Sequence, residues 1–130
     1  MDSCYTYFGV IYRDNNFDVE KFKERLNLKD FKVKEYASRL KEDNKRFKIE
    51  IGYVDKFNVD INVMVRETLK ELFGKEEILS DLKKEYDLEY YLERVIYLER
   101  DKVQPILSLD GDIIEFLYKA NVVDDLDYYV

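Results

Sequence analysis

Residues 4–12 read Cys4-Tyr5-Thr6-Tyr7-Phe8-Gly9-Val10-Ile11-Tyr12, apolar or aromatic at odd and even positions alike. A strand with one wet face alternates in polarity, so a run without alternation is expected to be buried on both sides, at the centre of a sheet. Gly9 within it marks a close backbone approach or a bulge. The rest of the chain is read outward from this strand.

Downstream, Asp18 offers an N-cap, and Val19, Phe22 and Leu26 recur at helical spacing. Residues 31–36 and 46–54 read as strands, the second with Phe47, Ile49, Ile51 and Tyr53 alternating with Lys48, Glu50 and Gly52, which indicates one wet face. The charged stretch from Ala37 to Lys45 is either a long hairpin loop or a short helix. Asp60 opens a helix with Ile61, Met64, Val65, Leu69, Leu72 and Phe73 on one face, and Gly74 stands where a C-terminal cap belongs. A second helix over 75–87 turns Ile78, Leu79, Leu82 and Tyr86 inward. Residues 88–99 form a long strand, and Pro105 breaks the chain before Ile106-Leu107. Asp112 and Glu115 match a capping box, N-cap acceptor and N3 glutamate, for a helix burying Ile113, Phe116, Leu117 and Ala120. The run from Leu126 to Val130 closes the sequence as a strand.

The element order is β-α-β-β-α-α-β-α-β. It predicts a single α+β domain over 1–130, with a mixed or antiparallel sheet of about five strands and helices packed on it. This is a ferredoxin-like arrangement with an added helix and a terminal strand. The chain shows no internal repeat, low-complexity tract or linker.

Composition narrows the chemistry. The chain holds no His and one Cys, which removes Ser-His-Asp and Cys-His devices and any ordinary zinc site built from one chain. A carboxylate-held Mg²⁺ or Ca²⁺ is the metal chemistry left open, since those ions take oxygen ligands. Cys4 reads as a core cysteine, and no Gly-rich phosphate loop or dinucleotide fingerprint is present. No catalytic residue, cofactor or metal site is assigned, and the expectation is a protein that is not an enzyme. No run approaches the ~20 apolar residues of a membrane span. The start, Met1-Asp2-Ser3-Cys4-Tyr5, has neither a basic leader nor an apolar signal core, so a cytoplasmic location is expected.

The net charge of −7 argues against a nucleic-acid partner. Residues 29–57 hold nine basic against six acidic residues, whereas 101–130 hold two against seven. The acidic end suits a basic protein partner. Candidate partner-binding residues are Asp110, Asp112, Asp124, Asp125, Asp127 and Tyr129. Asp110-Gly111-Asp112 lacks the remaining ligands of a calcium loop and reads as a turn and cap. Asp124, Asp125 and Asp127 are better read as an acidic surface than as a divalent-ion site. In each tyrosine pair, 90–91 and 128–129, strand alternation sends one ring inward and one outward, which makes the outward rings interface candidates.

Several segments together resemble one family: Ser3-Cys4-Tyr5-Thr6-Tyr7-Phe8-Gly9, Phe17-Asp18, Arg25-Leu26-Asn27-Leu28, Pro105-Ile106-Leu107-Ser108-Leu109 and Asp125-Leu126-Asp127-Tyr128-Tyr129. The combination is similar to the uncharacterised bacterial family filed as "domain of unknown function 4279". The resemblance implies a small cytoplasmic bacterial protein and carries no activity with it. Members of that family tend to have Trp and a Gly-containing turn in the hairpin region. This chain has no Trp, and Lys41 to Lys48 stand in that place, which implies a different target if the region sets specificity.

The function expected from the residues is therefore a non-enzymatic binding protein that neutralises a protein partner, of the immunity or antitoxin kind or a phage-type inhibitor of a defence protein. The alternatives are a small-molecule-binding or carboxylate/Lys-based enzymatic domain, and a homo-oligomer subunit.

Overall fold

The computed structural model describes residues 3–13, 17–29, 31–37, 45–57, 60–97 and 108–129. The elements are β1 (Ser3–Tyr12), α1 (Val19–Leu26), β2 (Phe31–Ala37), β3 (Lys45–Phe57), α2 (Ile61–Leu69), α3 (Glu76–Glu85), β4 (Leu88–Tyr97), α4 (Gly111–Lys119) and β5 (Val123–Tyr129), in the order expected from the sequence. Residues 38–44 of the uncertain hairpin and the Pro105-Ile106-Leu107 segment lie outside the described residues.

The strands form one mixed sheet in the order β2-β3-β1-β4-β5, with β1 in the middle as its apolar sequence requires. The β1–β3, β1–β4 and β2–β3 pairs are antiparallel and the β4–β5 pair is parallel. Its first four strands interleave two split β-α-β units, the ferredoxin-like arrangement. The fifth is added at the edge, and α4 makes the crossover that neighbouring parallel strands need.

All four helices contribute to one core against one face of the sheet. Phe8 and Val10 of β1 point into it with Ile49 and Ile51 of β3 and Tyr90 and Leu92 of β4. Phe22 and Leu26, Val65 and Leu69, Leu79 and Leu82, and Ile113 and Phe116 come down from the four helices in turn. The α1 start is as read: the Asp18 carboxylate accepts from Lys21 N at 3.2 Å. Cys4 is half-buried, with Sγ 2.9 Å from Met64 Sδ; burial, and then Asp55, push its thiol pKa up.

Two local readings are corrected. The α4 helix begins at Gly111 with Asp110 at the N-cap, so Asp112 is in the first turn and forms no capping box. From that first-turn position the Asp112 carboxylate accepts two bonds from Arg66 of α2, both at 2.7 Å, and Glu115 pairs with Lys119 at 2.8 Å. The regular part of α2 ends at Leu69, before Leu72 and Phe73. Leu72 N and Phe73 N both donate to Leu69 O, at 2.8 and 3.0 Å, so the chain tightens into turns that end at Gly74 with φ +83°.

A third correction decides the surface. Thr6 pairs with Val54 but Phe8 pairs with Ile51, so β3 has one residue more than β1 in this interval. Gly52 sits in this bulge at φ +66°. A Cβ on Gly52 would lie 2.1 Å from the Thr68 carbonyl oxygen, so the missing side chain is what lets α2 press on the sheet. The extra residue breaks the alternation read across 47–53. Tyr53 is sent to the face away from the helices, and Val54 turns into the interior.

Candidate functional site

The six residues singled out from the sequence divide into two groups. Asp110 and Asp112 lie in the helix layer, both bonded to Arg66, at 2.9 and 2.7 Å. Asn62 adds to this latch, accepting from Asp110 N at 2.8 Å and donating to Ser108 O at 3.1 Å. The hydrogen bonds it donates to Asp112, then Asp110, hold the Arg66 guanidinium well above its usual range, and Arg66 lowers Asp112 in turn. Asp124 is on the helix side of β5, where Arg94, 4% exposed, donates to it at 2.9 and 2.6 Å. These three aspartates are engaged within the chain. Asp125, Asp127 and Tyr129 alternate onto the opposite face of the sheet.

That opposite face is covered by no helix among the described residues, yet its centre is largely buried by its own side chains. Tyr7 lies in the middle, 9% exposed, with Tyr5 stacked beside it at 6.5 Å and Tyr53 at 6.4 Å. Tyr5 and Tyr53 stack at 5.7 Å. Tyr91 meets Tyr7 edge-on at 5.9 Å, and their hydroxyls are 3.4 Å apart. The Tyr91 ring lies over Gly9, where a Cβ would be 2.2 Å from its Cζ, so the glycine of the central strand does provide a close approach. The second buried face expected for β1 is thus made by tyrosines rather than by a second layer. Toward β2, Lys48 bonds to Glu50 at 3.2 Å and to the Tyr7 hydroxyl at 3.3 Å. Burial pulls the Lys48 pKa down, but Glu50 and Tyr7 more than offset this and leave it raised. Burial, then the Tyr7 hydrogen bond, keeps Tyr91 protonated far into alkali.

At the other end of the face is a residue that the sequence reading passed over. Glu93 of β4 stands level with Asp125 of β5, and Val95 level with Asp127, so Asp125 lies beside Glu93 and Asp127 follows along the same face. One carboxylate oxygen from each of the three lies within 4.8 Å of the others. Glu93 is only 7% exposed, while both aspartates are open to water. Burial, and then Asp127 and Asp125, push the Glu93 carboxyl up to about 8. Beside the triad, Tyr97 and Tyr129 stack at 5.0 Å, each about half exposed. The alternation expected of the tyrosine pairs holds: Tyr90 is in the core and Tyr128 packs on it, while Tyr91 and Tyr129 face the other way.

The model of one family, described as a domain of unknown function (DUF4279), matches residues 2–130. The chain belongs to this family. No curated protein and no solved structure matches it. As a DUF4279 domain it inherits no activity, so function is read from its own surface. Among the described residues, one open hollow at the β4–β5 edge is lined by Ile11, Lys83, Glu89, Tyr90, Tyr91, Val123 and Asp125. No helix among the described residues is long and apolar enough to cross a membrane.

Proposed function

We propose that this protein binds and neutralises a basic protein partner through the helix-free face of its sheet, as an immunity or antitoxin-like inhibitor does. The observation that carries the reading is the composition of that face: tyrosines stacked across β1, β3 and β4, bordered by Glu93, Asp125 and Asp127. Tyrosine rings offer large, rigid contact area at low entropic cost, and they are enriched where binding energy concentrates. Tyr53, Tyr97 and Tyr129 are 47%, 45% and 51% exposed, well placed to be covered by a partner. The acidic border and the net charge of −7 would speed encounter with a basic surface, more strongly at low salt. Rings stacked across three strands, with no helix enclosing them among the described residues, suit a protein better than an enclosed small molecule.

The test is capture of a basic protein from the native lysate by the tagged chain, compared across three baits. These are the wild type, Tyr53→Ser/Tyr97→Ser on the proposed face, and Tyr118→Ser on the exposed side of α4. A stoichiometric, salt-sensitive basic partner lost only by the double variant is expected. A partner retained by the double variant, or lost by Tyr118→Ser, would place recognition elsewhere. Recovery of the chain alone would count against the reading.

A further inference from the structure

Three carboxylates meet at the β4–β5 end of the sheet, and one of them is buried without a counter-charge. Among the described residues no Lys, Arg or N–H group donates to Glu93. Lys48 is occupied by Glu50 and Tyr7, and Arg94 projects from the other face toward Asp124. The carboxyl of a residue only 7% exposed ordinarily has a cationic or N–H donor, because ionising a desolvated acid without one is costly. Here the hydrogen-bond partners of the carboxyl are Asp127 and Asp125 themselves, so the three groups stay together either by keeping a proton among them or by taking up a cation. A cation would satisfy all three at once.

We propose that Glu93, Asp125 and Asp127 form a site for a divalent cation of the calcium type. The backbone supplies the placement: Asp125 and Asp127 alternate onto one face of β5, and the parallel register sets Glu93 level with Asp125 on the neighbouring strand, with Asp127 the next residue along that face. The donor set is all oxygen, which selects a hard cation over zinc or copper. Oxygens around a Ca²⁺ held at about 2.4 Å stand about 3.4 Å apart when adjacent and about 4.8 Å when opposite. The three carboxylate oxygens, all within 4.8 Å of one another, fit that shell. Ca²⁺ accepts irregular sites of six to eight ligands and fills the rest with water, which the exposed aspartates admit. Mg²⁺ demands a tighter octahedron than two flexible surface aspartates define. The site goes beyond the partner reading and does not depend on it.

The isolated full chain, stripped with chelator, is titrated with CaCl₂ by calorimetry and followed by thermal melting at constant ionic strength. The variants are Glu93→Gln, Asp127→Asn and, as a control for loss of acidic charge elsewhere, Asp110→Asn. One saturable Ca²⁺ per chain is expected, with a dissociation constant of roughly 10⁻⁴ to 10⁻³ M. The melting temperature should rise by roughly 5 °C near saturation. Binding should weaken by roughly tenfold or more in Glu93→Gln and Asp127→Asn and stay unchanged in Asp110→Asn, with Mg²⁺ the weaker ion. Absence of saturable binding up to about 20 mM Ca²⁺, or equal weakening in all three variants, would overturn the site. Because no partner is present in this experiment, its failure leaves the tyrosine-face reading standing, and loss of that reading leaves the cation site standing.

Discussion

Replacing Glu93 by Gln in the cation-free protein should stabilise the fold, and by an amount that depends on pH. The amide keeps the shape and hydrogen-bonding capacity of the carboxyl but cannot ionise between Asp125 and Asp127. In the wild type the Glu93 carboxyl titrates near 8 when folded, against an ordinary value of 4.5. The folded chain therefore holds this proton more tightly than the unfolded chain. The resulting stability is fully present below about 4.5 and is lost as pH rises through about 8. At about 1.4 kcal/mol per pH unit, the gap sets a ceiling of about 5 kcal/mol. The two aspartates are in water and the repulsion is screened, so about 2 kcal/mol is the expected difference. Urea denaturation of both proteins in chelator at pH 5 and pH 8.5 measures it, and the remaining acidic groups cancel in the comparison. Glu93→Gln should gain about 2 kcal/mol over wild type at pH 8.5 and well under 1 kcal/mol at pH 5. A variant that is less stable at pH 8.5, or a difference that does not change with pH, would refute the reasoning that Glu93 is a buried acid set against like charges.

Substitutions at Gly52 and at the Thr6–Thr68 pair test how the sheet and α2 are joined. Gly52→Ala forces an L-residue into φ +66° and sets its Cβ against the Thr68 carbonyl, so a loss of roughly 3 kcal/mol is expected by urea denaturation. A loss below about 1 kcal/mol would show that α2 is not pinned there. The buried hydroxyls of Thr6 and Thr68 are 2.6 Å apart, so Thr68→Val should cost about 1–2 kcal/mol by stranding Thr6. Thr6→Val/Thr68→Val should then cost clearly less than the two single variants summed, and strict additivity would rule out the bond.

The fold was legible because its signals are local. The unbroken apolar run of β1, the helical stripes of α1 to α4 and the caps at Asp18 and Asp60 each follow from short-range periodicity and backbone satisfaction, and they predict every element in order. The errors came where a remote group intervened. Asp112 reads as a cap until Arg66, 46 residues away, takes its carboxylate. Tyr53 reads as a core residue until the Gly52 bulge, required by the approach of α2, shifts the alternation by one. Neither event leaves a mark in the few residues around it, apart from a glycine within an otherwise regular strand.

The candidate site was half legible for the same reason. Asp125, Asp127 and Tyr129 stand out as candidates in the acidic, aromatic tail, but Glu93 lies 32 residues before Asp125 and joins it only through the β4–β5 register. Within its own segment, Leu92-Glu93-Arg94-Val95 suggests an ordinary adjacent ion pair. Strand alternation forbids that pairing by sending the two charges to opposite faces. Arg94 finds Asp124 on the helix side, and Glu93 is left with like charges. A fold under selection for stability alone has a simple remedy in Gln at this position. The acid is therefore better explained by something that arrives from outside the chain and carries positive charge, whether a metal ion in the triad or a basic partner laid across the tyrosines beside it.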